Sequence, residues 1–180
     1  MTGLVDQLEA AALDSAVPIT DLLRKAKTVA VKLRRPDLAV WLDKEMSGYE
    51  VTDPVPPYRK MHCEIKFAHP HYGWRPVIGS DHDFDNTQSI SEIMSLIASS
   101  SDFYTAPLPR KYIENLSRQF GILIDARRIF YRPQLIAVID GVRNAVQDWA
   151  LKLWEADIHG EGMSFTREET ARAQHMLLAA

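Results

Sequence analysis

Apolar residues recur at steps of three and four through the first part of the chain, and this spacing predicts three short amphipathic helices. The second helix follows Pro18, with Thr20 or Asp21 as its expected cap. The third places Pro36 in its first turn, where a missing N–H costs nothing, and stops at Gly48.

The hydrophobic period then changes to two, which predicts strands. Met61 to Phe67 alternates apolar and polar residues, as a half-buried strand does, and Trp74 to Ile78 is a return strand. We expect a polar, acidic loop over 79–87. A third strand is predicted over Ile122 to Tyr131, although two arginines interrupt its alternation.

Two helices are predicted between the second and third strands. A capping box of Ser89 and Glu92 opens the first, and Gly121 ends the second. A loop that contains Pro107 and Pro109 is expected between them.

The strongest pattern is a long helix from Pro133 to about Ala156. Its apolar positions alternate steps of four and three and so share one side of the helix; they are Leu135, Ile139, Val142, Val146, Trp149, Leu153 and Ala156. A second row, which includes Val138, makes the apolar surface wider than one seam needs. We therefore expect other elements, and a partner, to cover it.

The same helix carries polar features that bear on function. Asp148 and Lys152 are spaced for an i,i+4 ion pair. Gly141 in a helix interior is unfavourable by about 1 kcal/mol relative to Ala, which a close approach of another backbone would explain. Val138, Trp149 and Trp154 are the side chains that we expect at an interface.

A last helix begins at the capping box of Thr166 and Glu169 and is expected to run to Ala180 without a stop signal. We therefore expect that the chain was cut there or continues in a longer protein. The fold class is α+β: three N-terminal helices and a small antiparallel sheet packed on the long helix. We expect a single domain, 1–180, with a helical part over 1–50, a sheet with two inserted helices over 58–132, and the long and terminal helices over 133–180.

Composition limits the function classes. The net charge of -3 gives no overall attraction to nucleic acid or anionic membrane. The N-terminus is not a signal peptide, and no apolar run approaches the roughly 20 residues of a membrane span. Cys63 is the only cysteine, which fits a reducing cytoplasm, and its place on the apolar side of a strand predicts a buried structural thiol.

Two groups of residues suggest ligand chemistry. Arg127, Arg128, Arg132 and Tyr131 surround the start of the long helix, where a phosphate group or nucleic acid could bind. Pairing of these arginines with surface carboxylates is the favoured interpretation.

His69, His71 and His82 lie close to three aspartates, but their spacing does not direct them together, so we predict solvated loop residues, no metal and no cofactor. The sequence lacks the motifs G-x-S-x-G, H-E-x-x-H, P-loop and G-x-G-x-x-G, which lowers the odds of an enzyme without excluding one.

A family resemblance is densest from 132 to 166. It rests on the run 132–144 with its Val142-Arg143-Asn144, on 148–151, and on the Gly160-Glu161-Gly162-Met163-Ser164-Phe165 segment. These stretches resemble the AbiTii domain family, bacterial abortive-infection proteins. Further stretches with the same likeness are 4–13, 21–26, 38–49 and 90–100, whereas 68–87 departs from the pattern. The resemblance implies a role in phage defence and an N-terminal position in a longer protein, and it supplies no catalytic residues.

The function predicted from these patterns is a non-enzymatic interaction or sensing module that self-associates or binds a partner protein. One alternative is an enzymatic toxin such as a nuclease, which would use the histidines or the arginine cluster. Another is a module that binds nucleic acid or a nucleotide signal, which requires Arg127, Arg128 and Arg132, with Lys60 or Arg75, on one surface.

Overall fold

The computed structural model describes residues 2–69, 71–77, 82–99 and 101–176, and for His82 the backbone alone. It confirms the α+β class. The helices are α1 (Leu4–Leu13), α2 (Ile19–Lys32), α3 (Pro36–Ser47), α4 (Ile90–Ala98), α5 (Arg110–Phe120), α6 (Arg132–Glu155) and α7 (Arg167–His175). The strands are β1 (Lys60–His69), β2 (Gly73–Pro76), β3 (His82–Asp85), β4 (Phe103–Pro107) and β5 (Ala126–Tyr131), and a 3₁₀ turn at Pro57–Arg59 precedes β1.

The strands form one antiparallel sheet in the order β2-β1-β5-β4, and β3 pairs with the first half of β1. The register places Met61 opposite Phe84 and Ile65 opposite Arg128. The sheet therefore has an inner face, which carries Met61, Cys63 and Phe130 against the helices, and an open outer face.

Several boundaries correct the sequence prediction. β3 replaces part of the expected loop, because Phe84 points inward and stacks on Phe130 although its neighbours are acidic. β4 replaces the first part of the proline loop, and its Pro107 is tolerated at the end of an edge strand. Ile78 and 79–81 lie outside the described residues.

The third strand is shorter than predicted. It begins at Ala126, since 122–125 form the exit from α5, where the Ile124 N–H donates to the Ser117 hydroxyl at 3.0 Å. α2 begins after Pro18 with no side-chain cap, so the prediction of Thr20 or Asp21 was wrong. α7 ends at His175, earlier than expected, and 177–180 lie outside the described residues.

The long helix α6 is the spine of the fold. The side of α6 that the sequence predicts to be apolar is mostly buried, with Leu135, Val142, Val146 and Leu153 fully inaccessible. The helix packs against α1, α2 and α4. A smaller apolar cluster lies beneath α5 on the other half of the inner sheet face; it consists of Ile65, Leu108, Leu116, Ile124 and Ala126.

Gly141 allows the 3₁₀ turn to approach α6. A Cβ at this position would lie 2.5 Å from the Tyr58 Cβ, so only glycine fits. The close approach predicted from the sequence is therefore made by the side chain of Tyr58.

Arg143 connects α6 to the end of α1. Its guanidinium donates to the carbonyl oxygens of Ala11, Ala12 and Asp14 at 3.1 to 3.3 Å and of Val17 at 2.7 Å. The carbonyls of Ala11 and Ala12 belong to the last turn of α1, where intrahelical donors are missing, and those of Asp14 and Val17 follow it. The arginine is thus a C-terminal cap supplied by another helix.

Replacement of Gly141 by Ala tests the contact with Tyr58. Alanine favours the helix by about 1 kcal/mol, but overpacking against Tyr58 costs about 1–3 kcal/mol. We expect a net loss of unfolding free energy in urea titrations. Asn144→Ala, at an exposed position of the same helix, should be neutral or slightly stabilising. If Gly141→Ala raised the unfolding free energy as much as Asn144→Ala does, the close contact between Gly141 and Tyr58 would be contradicted.

Glu169 joins the loop after α6 to α7. Its carboxylate accepts from the backbone N–H groups of His159, Gly160 and Thr166 at 2.8 to 3.0 Å, and the predicted capping box with Thr166 is confirmed. Burial alone raises the pKa of Glu169, yet the three backbone donors outweigh burial and hold the pKa below its ordinary value of 4.5.

The depressed pKa predicts a pH dependence. The stabilisation by the charged Glu169 is present above the ordinary pKa and is lost as the pH falls through the lower folded value. Glu169→Gln should therefore lower the unfolding free energy by about 1–2 kcal/mol at neutral pH, and the difference from wild type should shrink in acid. Exposed Glu168→Gln is the control, and a pH-independent difference for Glu169→Gln would contradict the assignment.

Candidate functional site

A groove of about 720 Å³ runs between α3 and α6 and is closed at one side by the segment 54–58. Its walls combine large aromatic residues with prolines: Trp41, Tyr49, Tyr58, Trp149, Pro54, Pro56 and Pro57. Ligand sites of this size are typically apolar with a few polar groups at fixed positions. The groove is therefore the first surface to consider for binding.

A buried ion pair lies behind the aromatic wall. The Arg59 Nη2 is 2.5 Å from the Glu45 Oε2, and both side chains are fully inaccessible to solvent. The Arg59 Nη1 donates to the carbonyl oxygens of Asn86 and Gln88 at 2.9 and 2.8 Å. One guanidinium thus joins α3 to the segment that leads from β3 into α4.

The other oxygen of Glu45 organises the aromatic residues. Oε1 accepts from the hydroxyls of Tyr49 at 2.7 Å and Tyr58 at 2.8 Å, and from the Trp41 indole N–H at 3.2 Å. Burial, and then the charge of Glu45, raise the pKa of both tyrosines well above its ordinary value, so both remain neutral donors. The Arg59 guanidinium also lies 4.8 Å from the centre of the Tyr49 ring.

Some charged side chains at the groove have an ionic partner, and others do not. Lys44 pairs with Asp53 at 2.8 Å, and Asp37 pairs with Arg35 at 2.6 Å, a contact that lowers the pKa of Asp37. Asp148 and half-buried Lys152 line the groove without the ion pair predicted between them, and neither has another ionic partner in the described structure.

The floor of the groove contains an unsatisfied donor. Trp149 is 2% exposed, and its buried indole Nε1 has no hydrogen-bond partner among the described residues. Buried polar groups are paired in the large majority of cases, so this one marks a place where an acceptor is missing.

The predicted arginine cluster is not one surface. Consecutive residues of a strand point to opposite faces, so Arg127 lies on the outer face, where its Nη2 is 3.3 Å from the Asp125 carboxylate, and Arg128 lies on the inner face. Arg132 and Tyr131 are exposed at the start of α6, where the Tyr131 N–H donates to the Gln134 side chain at 2.7 Å. Arg127 and Arg128 therefore do not lie on one surface, which the nucleic-acid alternative requires, and Arg127 pairs with a carboxylate as the favoured interpretation expected.

Neither His69 nor His71 pairs with an acid among the described residues. The rings of half-buried His69 and exposed His71 are 6.1 Å apart, and the His69 ring lies 4.7 Å from the Tyr72 ring. The side chain of His82, like Asp81, lies outside the described structure. Within the described ranges no group of three potential ligands could hold a metal ion.

The three side chains predicted at an interface differ in their exposure to solvent. Val138 is fully inaccessible and Trp149 almost so, because both complete the core beneath α6, and they are not available on the surface as we expected. Trp154 is 54% exposed and meets the His159 ring edge-on at 6.0 Å. Cys63 is buried as predicted, and burial raises the pKa of its thiol to about 11.

Sequence reasoning missed Glu45 and Arg59. A signal for Glu45 was present, because it falls three residues after Leu42 and four after Trp41, on the inward side of α3. Arg59 had no local signal, since its partner lies in another element.

Fold and site together define a helix-rich α+β domain with a preformed aromatic groove. The chain belongs to the AbiTii family, whose model matches residues 3–177. No curated protein and no solved structure matches the chain. Family membership points to a role in bacterial abortive-infection defence. None of the described helices is both long enough and apolar enough to cross a membrane.

The buried pair predicts an asymmetric response to charge removal. Glu45→Gln leaves the Arg59 cation buried and uncompensated, which should lower the unfolding free energy by about 3–5 kcal/mol in urea titrations. The control is Glu114→Gln, which breaks the surface pair with 93% exposed Arg110 and should cost less than about 0.5 kcal/mol. Equal losses in the two variants would contradict the role of Glu45.

Proposed function

We propose that this domain acts in abortive infection as a non-enzymatic interaction module and binds an extended segment of a partner protein in the groove between α3 and α6. The observation that carries the proposal is the groove itself: a preformed aromatic wall beside Asp148 and Lys152, which have no ionic partner among the described residues. Extended proline-containing segments typically dock in aromatic-lined grooves of this kind.

The polar chemistry of the groove fits a peptide. An acidic side chain would neutralise Lys152, and a basic one Asp148. Because the Glu45 network already fixes Trp41, Tyr49 and Tyr58, binding requires little further ordering of these side chains.

The same network supports binding over catalysis. Both oxygens of Glu45 are occupied by Arg59, Tyr49, Tyr58 and Trp41, so this carboxylate is not poised to accept a proton from a substrate. A general base needs such access. Glu45 instead maintains the shape of the groove.

Self-association is a second form of the same proposal, favoured by Trp154. Its exposed ring lies on α6 with Leu151, which is also exposed, one turn before it. Multi-angle light scattering of the full-length protein and of Trp154→Ser distinguishes the two forms. A dimer that Trp154→Ser converts to a monomer supports self-association, and a wild-type monomer at high concentration excludes it.

Site-specific photo-crosslinking tests the groove. A photoreactive phenylalanine replaces Val40, 54% exposed at the groove, or Val31, 57% exposed on α2 outside it, in the full-length protein during phage infection. We expect one discrete adduct from position 40 and none from position 31. An adduct of twice the protein's own mass would assign the groove to a second copy.

A charge reversal completes the test. Lys152→Glu should abolish the adduct from position 40 and reduce protection against phage at least tenfold, whereas Lys111→Glu on α5 should change neither. Full protection by a folded Lys152→Glu variant, with no adduct from position 40 in wild type, would contradict the proposed function.

A further inference from the structure

Arg128 interrupts the apolar inner face of the sheet. On β5 it lies between Phe130, which belongs to the main core, and Ala126, which belongs to the cluster beneath α5. Its cross-strand neighbours on the same face are Ile65 and Ala106. A cation at the boundary of two apolar clusters is unfavourable unless something compensates its charge.

The described residues do not supply that compensation. The Arg128 Nη1 donates to the Pro107 carbonyl at 3.2 Å, and the guanidinium lies 5.0 Å from the Phe84 ring centre. Its buried Nε has no hydrogen-bond partner. Arg35, Arg59 and Arg127 by contrast each pair with a carboxylate.

A cleft of about 1100 Å³ opens over this side chain, between α4 and strands β3 and β4. It shares no lining residue with the groove between α3 and α6. Thr87 and Gln88 line it, and their side chains donate no hydrogen bond within the described structure. Half-buried Phe84, which faces inward like Arg128, provides an aromatic surface at the same cleft.

The geometry points to a second binding site: we propose that the Arg128 cleft binds a small molecule with one phosphate group and a planar ring. A guanidinium binds phosphate through two parallel N–H groups, which suits the donors that Arg128 leaves unused. The planar ring would lie against Phe84, and Thr87 and Gln88 would supply further hydrogen bonds.

The charges around the cleft favour a small ligand over a nucleic-acid strand. Asp83 and Asp85 also line it, and the Asp83 carboxylate is mostly in solvent, 3.5 Å from the His62 Nδ1. Two carboxylates near the cleft would repel the repeated phosphates of a strand more than they repel the single phosphate of a small ligand.

Isothermal titration calorimetry of the full-length protein tests the proposal with four probes: adenosine monophosphate, inorganic phosphate, adenosine and a single-stranded oligoadenylate. We expect adenosine monophosphate to bind with a submillimolar Kd and adenosine at least tenfold more weakly. Equal binding of inorganic phosphate would still support the site and would limit recognition to the phosphate group.

Two neighbouring arginines give matched variants. Arg128→Gln should weaken binding of adenosine monophosphate at least tenfold, and Arg127→Gln, which alters the opposite face, less than twofold. Arg128→Lys keeps the positive charge but lacks the planar guanidinium, so it should weaken binding about fivefold. This variant replaces Arg128→Gln in the test if Arg128→Gln does not fold. Absence of binding at 10 mM phosphate and 10 mM adenosine monophosphate would overturn the proposal, as would tighter binding of the oligonucleotide that depends on Arg127.

Discussion

The buried pair of Glu45 and Arg59 is the contact on which the arrangement of the three parts of the chain depends. Arg59 precedes the first strand, Glu45 belongs to the N-terminal helices, and the carbonyl oxygens of Asn86 and Gln88 lead into α4. Gly141 lets Tyr58, which also bonds to Glu45, lie against the spine helix. A single polar cluster therefore positions helices, sheet and spine together, and the same cluster forms the back wall of the groove.

The main effect of such a buried cluster is to select one arrangement of the chain, and its net contribution to the free energy of unfolding is small. A buried ion pair gains little over well-packed apolar residues of equal volume, but it makes any arrangement that separates the two charges very unfavourable. In this fold, the alternatives that it excludes are those in which residues 54–58 detach from α3 and α6. The groove is consequently preformed, and the cost of ordering its aromatic wall is met during folding rather than during binding.

Sequence periodicity predicted the features that depend only on residues within one helix or strand. The long helix, the stops at Gly48 and Gly121 and two capping boxes follow from spacing of residues within one element. β3 and β4 were missed because their pairing partners, not their own short sequences, make them strands. Arg127 and Arg128 looked like one cluster because they are adjacent, although strand geometry separates adjacent residues. The stretches that carry the family resemblance make contacts that hold the fold together. Arg143 caps α1, and the Gly160 N–H donates to the Glu169 carboxylate.

The central claim, that the buried pair makes the segment 49–59 part of the core, is tested most directly by native-state amide hydrogen exchange. The relevant amides are those of Tyr49, bonded to the Thr87 carbonyl at 2.8 Å, and Arg59, bonded to the Pro56 carbonyl at 2.9 Å. The account predicts that both exchange as slowly as the amides of Val146 and Trp149 in α6, through global unfolding. Exchange as fast as that of Ser164 in the surface turn after α6 would contradict it, because the groove would then open independently of the core.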